Sequence, residues 1–390
     1  MEVKLGVASS QHVGEDVRRH YQEAYVEMLR ELGVSPVESS DVAIVVVLTG
    51  GAEEDILSQA ARYNVLLAWP HYNSLPSALE AAAALREGGR YAKVLELPAP
   101  LASPVEPLLR ALRLISLMKS GVPRFGVVGR PNRWLVASGL AGAAVEEVPL
   151  EETLRGLNPE EGAEEARRIV EGAERSDFSA ADLAPVVAYS RRLEELAGGR
   201  GWSGLTLGCW CFDVDAVKRI RWTPCISLAL LNQRGIPAAC EGDLRALFSM
   251  YVLSRLSGKP AWLGNVNVAR GDLLILTHDG VPPAMARRYS VVKRMLTGAP
   301  AAIRTKTAPG SPATLLRVSG DLKRALLLRA VTVEPEEVEA CNAQAGFKLL
   351  NGVASRVLSA GLGNHLAYVL DDVYEEAGEY LRGLGVEVLP

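Results

Sequence analysis

Two carboxylates lie two positions apart at a predicted junction between a strand and a helix. Residues 235–239 are apolar and predict a short strand, and residues 244–256 have the periodicity of an amphipathic helix. Glu241 and Asp243 stand between them, where α/β folds usually keep their functional groups. Such carboxylates can bind a metal ion or transfer a proton. Alternatively, Asp243 is only the N-cap of the helix and Glu241 only a favourable charge at its start.

A cysteine and two histidines are further candidates for chemistry. A helix is predicted over residues 223–233, with Thr223 as its N-cap, which places Cys225 in the first turn. The helix dipole there favours a thiolate, although a free cysteine is also a common small core residue. His278 and His365 lie at the ends of predicted elements, and imidazole is a common metal ligand.

The cysteines do not have the spacing that is typical of a structural zinc site. Cys209 and Cys211 are separated by one residue, and neither Cys225 nor Cys240 completes a pair with two to four residues between the thiols. Carboxylates with imidazoles suit Mn²⁺ better than a thiolate set does.

The first third of the chain alternates between strand and helix patterns, which predicts a mostly parallel, flavodoxin-like sheet. Three polar or aromatic segments, residues 9–12, 49–51 and 69–73, follow strands of this sheet and are expected at a crevice. Thr49-Gly50-Gly51 can hold a phosphate or carboxylate, or it is a simple turn. No dinucleotide fingerprint and no Walker loop occurs in the sequence.

The strand and helix patterns divide the rest of the chain into two further regions. A second α/β block begins near residue 121, and short strands dominate after residue 260. We therefore predict an α/β protein with two flavodoxin-like or Rossmann-like domains, residues 1–120 and 121–260, the second carrying Glu241-Gly242-Asp243. A β-rich domain with an antiparallel, barrel-like sheet and a terminal helix, residues 261–390, follows them.

Composition excludes several classes of partner. The 390 residues carry a net charge of −4 with a pI near 5.9, which gives no reason to expect binding to nucleic acid or to an anionic membrane. No apolar run approaches the length of a membrane-spanning helix. The odd number of cysteines, five, and a first strand directly after Met1 predict a cytoplasmic protein.

Residues 210–260 resemble the core of the fucose/arabinose isomerase superfamily, in particular its fucose isomerase-like proteins. The resemblance rests on the runs T-P-C-I-S-L and A-A-C-E-G-D-L. Shorter matches occur in order along nearly the whole chain, and they are N-S-L-P-S-A-L-E at 73–80, W-L-V-A-S at 134–138, L-T-H-D-G at 276–280 and N-H-L-A at 364–367.

This resemblance implies aldose–ketose isomerisation of a free sugar through an enediol, in a homotrimer or homohexamer. It implies a divalent metal, usually Mn²⁺, held by two acidic residues and a histidine. Asp243 and His365 match the family's metal-binding aspartate and late histidine, Glu241 matches the first acid of the motif, and His278 matches a further histidine ligand.

Cys225 departs from the family pattern. Fucose isomerases have a glutamate at this position that binds the metal and exchanges the proton, so Cys225 takes the second acid/base position here. Two alternatives to isomerisation follow from this departure. One is a carbohydrate-binding relative without catalysis, and the other is a lyase or epimerase that uses the same enediolate chemistry.

Overall fold

The computed structural model describes residues 1–102, 105–295 and 297–389, apart from the side chain of Phe212. Met1–Lys119 forms one unit, and a second unit begins at Ser120. None of the helices in these described ranges is long and apolar enough to cross a membrane.

The first unit is a parallel sheet with helices on both faces. Its strands are β1 (Glu2–Ala8), β2 (Ser35–Val37), β3 (Val42–Val47), β4 (Tyr63–Ala68) and β5 (Tyr91–Glu96). Its helices are α1 (Glu15–Glu31), α2 (Glu53–Gln59), α3 (Ser74–Glu87) and α4 (Val105–Lys119). The strand order β2-β1-β3-β4-β5 is that of flavodoxin. Every residue of β3 is buried, as its continuous apolar run predicts for a central parallel strand.

The second unit contains a parallel sheet and a barrel. Its strands are β6 (Arg124–Val128), β7 (Ala144–Val148), β8 (Arg175–Ser176), β9 (Gly204–Leu207), β10 (Ala238–Cys240), β11 (Ala261–Arg270), β12 (Leu273–His278), β13 (Ser290–Val292), β14 (Ala302–Lys306), β15 (Pro312–Val318), β16 (Arg324–Val333), β17 (Ala343–Leu349), β18 (His365–Val369) and β19 (Glu387–Leu389). Its helices are α5 (Leu150–Leu154), α6 (Ala163–Glu171), α7 (Ala180–Arg200), α8 (Val214–Ile220), α9 (Cys225–Gln233), α10 (Leu244–Ser257), α11 (Ser355–Ala360) and α12 (Tyr374–Gly383).

Four strands form the parallel sheet, in the order β10-β9-β6-β7. Six antiparallel strands, β16-β15-β18-β11-β12-β17, form the barrel, which closes where β16 pairs with β17. Strand β19 adds to β16, and β14, β13 and β8 continue outward from β17. The predicted fold class is therefore confirmed. The division of this unit at residue 260 stays a prediction.

Two predicted elements around the junction are shorter than expected. The apolar run of residues 205–211 predicts a strand, but the strand ends at Leu207, and Trp210–Phe212 is a 3₁₀ turn. The side chain of Asn132 binds both the N–H and the carbonyl of Cys209, so these groups are not free for strand pairing. Helix α9 begins at Cys225, and its N-cap residue is Pro224, without a side-chain cap. The hydroxyl of Thr223 donates to the carbonyl of Pro300 instead of capping the helix.

Candidate metal centre

Glu241 lies at the end of β10, in an unusual backbone conformation. Its φ is 68°, in the left-handed region that non-glycine residues rarely adopt, and the residue is 7% exposed. Trp134 Nε1 donates to Glu241 Oε2 over 2.7 Å, and Asn132 N donates to the Glu241 carbonyl over 3.0 Å. The turn is thus held by contacts across the sheet edge, as is common where a functional group must be fixed.

Gly242 is required at the next position. Its φ is 80°, and a Cβ there would lie 2.5 Å from the Cα of Pro131. A side chain would therefore force apart the loop that carries Trp134. The sequence Glu-Gly-Asp follows from this close approach, because only glycine lets the chain pass between the strand and the helix here.

Both carboxylate oxygens of Asp243 are engaged by protein groups. Oδ1 accepts from the backbone N–H groups of Arg245 and Ala246, which is an N-cap. Oδ2 accepts from Arg317 Nη1 at 2.6 Å and lies 2.9 Å from His365 Nδ1. Burial opposes ionisation, but the hydrogen bond from His365 and the charge of Arg317 outweigh it and lower the pKa of Asp243.

The barrel brings the two histidines together. His365 is the first residue of β18 and pairs with Asn265 of β11, and the same Asn265 pairs with Thr277 of β12. His278 is the next residue along β12, so the end of β12 and the start of β18 meet on either side of β11, with the two ring centroids 5.9 Å apart. Helix α10 packs against β15 and β18, which places Asp243 beside Arg317 and His365.

Glu241, His278 and His365 form a group that is able to hold a metal ion. One ligand atom from each residue lies within 4.8 Å of the others, and all three residues are buried. His278 Nδ1 and His365 Nε2 have no hydrogen-bond partner in the described part of the chain, and Nε2 is 3.9 Å from Glu241 Oε2. Buried nitrogens without a partner are costly unless something binds them. A cation bound between them would satisfy both nitrogens.

The electrostatics keep these nitrogens available. Burial, followed by the electrostatic effects of His365 and Arg294, lowers the pKa of His278 to about 3, so this imidazole is neutral near pH 7. Because ionised Asp243 can only accept, His365 Nδ1 carries the hydrogen of that bond, which leaves Nε2 as the nitrogen with a lone pair to offer. A carboxylate behind a histidine is the usual way in which proteins orient a metal-binding imidazole.

Asp243 and Cys225 are not part of this group. Asp243 is turned to Arg317, His365 and its own helix. Cys225 is buried in α9, where its sulfur lies 3.7 Å from Thr223 Oγ1. Burial raises the pKa of Cys225 to about 11, which outweighs the thiolate stabilisation expected at a helix start. Cys209 is paired with Cys211 in a disulfide, and Cys240 is a buried free thiol.

Two residues of the site were not predicted from the sequence. Trp134, the first residue of the W-L-V-A-S run, lies in a loop and donates a hydrogen bond to Glu241. Arg317 lies in β15 and is 1% exposed. The signal for Arg317 was an arginine inside an otherwise apolar strand, which needs a buried partner.

The chain matches no known family model. It is similar to a curated protein named sulfoquinovose isomerase from Alkalicoccus urumqiensis, with 26% identity over 217 residues. The similarity covers 52% of this chain and 47% of the relative, so the match spans about half the length of each protein. Over that half, the chain is similar to a sugar isomerase.

Proposed function

We propose that the protein is a metal-dependent aldose–ketose isomerase that acts on a sugar through an enediol. The observation that carries this proposal is the convergence of Glu241 with the unpartnered nitrogens of His278 and His365. Similarity to a protein named sulfoquinovose isomerase supports the same class of reaction. The finer assignments, a fucose or arabinose type of substrate and Mn²⁺ as the cation, come from the resemblance of residues 210–260.

In this proposal, Glu241, His278 and His365 hold the cation, and Asp243 is a positioning residue. Asp243 fixes the ring of His365 and keeps Nε2 free, as its contact with Nδ1 indicates. A divalent cation supplies positive charge beside the sugar oxygens while the proton moves. The buried pair of Asp243 and Arg317 then supports the site without contacting the substrate.

Glu241 is the candidate for the general base. Oε2 accepts from Trp134, and no residue of the described ranges donates to Oε1. The carboxylate is therefore able to take the proton from C2 of an aldose and return it to C1, while the hydroxyl proton of O2 passes to O1. Burial raises the pKa of Cys225 to about 11, so the thiol stays protonated near pH 7 and does not act as the base.

Proton exchange in D₂O tests this function directly. The protein, loaded with Mn²⁺ and assayed against pentoses and deoxyhexoses, including arabinose and fucose, should incorporate deuterium from the solvent and form the ketose. Metal analysis should find about one divalent ion per chain, and chelation should stop the exchange.

The products separate the proposed reaction from its alternatives. Cleavage of the sugar would indicate a lyase, and inversion without ketose would indicate an epimerase. Sugar binding without deuterium exchange would indicate a binding protein. Absence of both metal and exchange would contradict the proposal.

A further inference from the structure

The side chain of Trp134 contacts the one carboxylate of the candidate metal group. Its Nε1 donates to Glu241 Oε2 over 2.7 Å, which is shorter than the usual distance of about 2.9–3.0 Å and typical of a bond to an ionised acceptor. Trp134 is 47% exposed, whereas Glu241 is 7% exposed. A half-exposed indole thus forms a strong bond to a buried carboxylate, and core packing does not explain this arrangement.

The two carboxylate oxygens of Glu241 have different surroundings. Oε2 accepts from Trp134 and lies 3.9 Å from His365 Nε2, a buried nitrogen with no hydrogen-bond partner among the described residues. Two metal–ligand bonds of about 2.1 Å each span up to about 4.2 Å, so one cation is able to contact both atoms. No residue of the described ranges donates a hydrogen bond to Oε1. Oε2 is therefore the oxygen that faces the cation site with His365, and Oε1 is left for another task.

Two nearby side chains do not share the tasks of Glu241. Asp243 has both oxygens engaged, Oδ1 by the start of α10 and Oδ2 by Arg317 and His365. Cys225 stays protonated near pH 7, because burial raises its pKa to about 11. If this group catalyses proton transfer, Glu241 must therefore both bind the cation and act as the base.

The loop that carries Trp134 is itself anchored on both sides of the contact. Asn132 donates from its backbone N–H to the Glu241 carbonyl over 3.0 Å, and its side chain binds both the N–H and the carbonyl of Cys209. The N–H of Leu135 donates to the Asn132 carbonyl over 3.0 Å, which closes a turn around Trp134. Because one short turn holds both the backbone and the side chain of Glu241, the carboxylate is oriented before any ligand binds.

We propose that Trp134 is a positioning residue that assigns the two oxygens of Glu241 to different tasks, Oε2 to the cation and Oε1 to the proton. This inference rests on the proposed isomerase function. The last torsion of a glutamate side chain is broad and roughly two-fold, so rotation readily exchanges the two oxygens. The indole N–H stops this exchange by holding Oε2, in the way that outer hydrogen bonds orient metal-binding carboxylates.

Trp134→Phe tests the proposal, because it keeps an aromatic ring and removes the N–H. The variant is assayed as the whole chain saturated with Mn²⁺, with the sugar into which the wild type incorporates deuterium fastest. The exchange rate at saturating sugar should fall by about tenfold to a hundredfold, the loss expected for one hydrogen bond to a charged group. The KM for the sugar should change by less than about threefold, because the bond orients the base and does not contact the sugar.

Titration of the metal-free protein with Mn²⁺, followed by calorimetry without sugar, gives a second measurement that needs no turnover. Trp134→Phe should bind Mn²⁺ about tenfold more weakly than the wild type. Trp202→Phe is the matched control, because Trp202 Nε1 donates to Glu146 Oε2 over 3.0 Å and the variant loses the same kind of bond in the same unit. It should lower the urea midpoint at least as much as Trp134→Phe does, and leave Mn²⁺ affinity and exchange at wild-type values.

The outcomes separate this proposal from the isomerase function. Weaker Mn²⁺ binding in Trp134→Phe, with no deuterium exchange even in the wild type, would support the role at the cation and contradict isomerisation. Wild-type exchange and Mn²⁺ affinity in Trp134→Phe would support isomerisation and overturn the positioning role. A rise in KM alone, or equal losses of exchange in Trp134→Phe and Trp202→Phe, would also overturn it, because either result indicates a general structural effect.

Discussion

The two parallel sheets differ in the polar groups that follow the C-terminal ends of their strands, which we call the first edge and the second edge. At the first edge the groups around Asp55 satisfy one another: Ser10 N–H donates to Thr49 Oγ1 at 2.9 Å, and Asp55 accepts from Arg18 and from the N–H of Ser9. The buried indole N–H of Trp69, directly after β4, is the exception among the described residues of that edge. At the second edge, next to Glu241, the buried nitrogens His278 Nδ1 and His365 Nε2 have no partner in the described residues. The network around Asp55 therefore uses its hydrogen-bonding capacity within the protein, whereas Glu241 at the second edge meets barrel nitrogens whose capacity is not used.

The comparison shows which edge needs a ligand. A network such as that of Asp55, whose members bond to one another, stabilises its own loops and needs no bound ligand to satisfy its polar groups. The unpartnered nitrogens beside Glu241 carry a desolvation cost that a bound ion or substrate offsets. Mutations at the two edges should therefore change different quantities, stability at the first and binding or catalysis at the second.

Glu241→Gln should have the largest effect. The amide keeps an acceptor for Trp134 but loses the charge, so deuterium exchange into the sugar should fall by at least about a hundredfold and metal affinity should drop. Exchange rates and metal content measure this, and the exposed Glu161→Gln serves as the control. Deuterium exchange at the wild-type rate in Glu241→Gln would show that another residue is the general base.

Asp243→Asn should act mainly on stability. Asparagine remains a good N-cap, but Arg317 becomes a buried charge without a counterion, which should cost about 3–5 kcal/mol in the free energy of unfolding. Metal affinity should also fall by about 10- to 100-fold, because the ring of His365 loses its carboxylate. Urea denaturation and metal titration measure the two effects.

A double variant separates these contributions. Asp243→Asn with Arg317→Met removes the unpaired charge, so it should recover part of the stability but none of the metal affinity. Recovery of both would mean that Asp243 does not orient His365.

The sequence predicts the elements well and the long-range contacts poorly. The buried run of β3 and the Glu-Gly-Asp junction are local patterns that periodicity and turn chemistry reveal. The direction in which Asp243 faces depends on Arg317, 74 residues away, and the conformation of Glu241 depends on Trp134, 107 residues away. No local propensity encodes such pairs, because packing of α10 on the barrel makes the first pair, and the loops at the end of the parallel sheet make the second.

Short elements at edges are also hard to predict. Strand β2 spans three residues, Ser35–Val37, includes a proline, and has no fully buried residue. It was missed because strand patterns are recognised from buried or alternating apolar residues. Cys225 shows a related difficulty, since its place in a helix predicts a thiolate, whereas the depth of its burial raises its pKa.

His278 should make the metal-free protein sensitive to acid. Its pKa is lowered from 6.5 to about 3, so between these values the unfolded chain binds a proton that the folded chain does not. Stability is therefore present above pH 6.5 and declines as the pH falls toward 3. The free energy of unfolding should fall by about 2 kcal/mol more between pH 7 and pH 5 than it does in His278→Asn. The exposed His12→Asn in the first unit should retain the full decline.

Asp55→Asn, at the first edge, should have the smallest effect. The carboxylate accepts from Arg18 Nη2, from Gln59 Nε2 and from the N–H of Ser9, and its side chain is 27% exposed. Because solvent screens this pair, the loss should be about 1–2 kcal/mol in the free energy of unfolding of the first unit. Metal content and deuterium exchange should match the wild type. A tenfold loss of metal affinity in Asp55→Asn would show that the closed network of the first edge is not merely structural, and the contrast between the two edges would then fail.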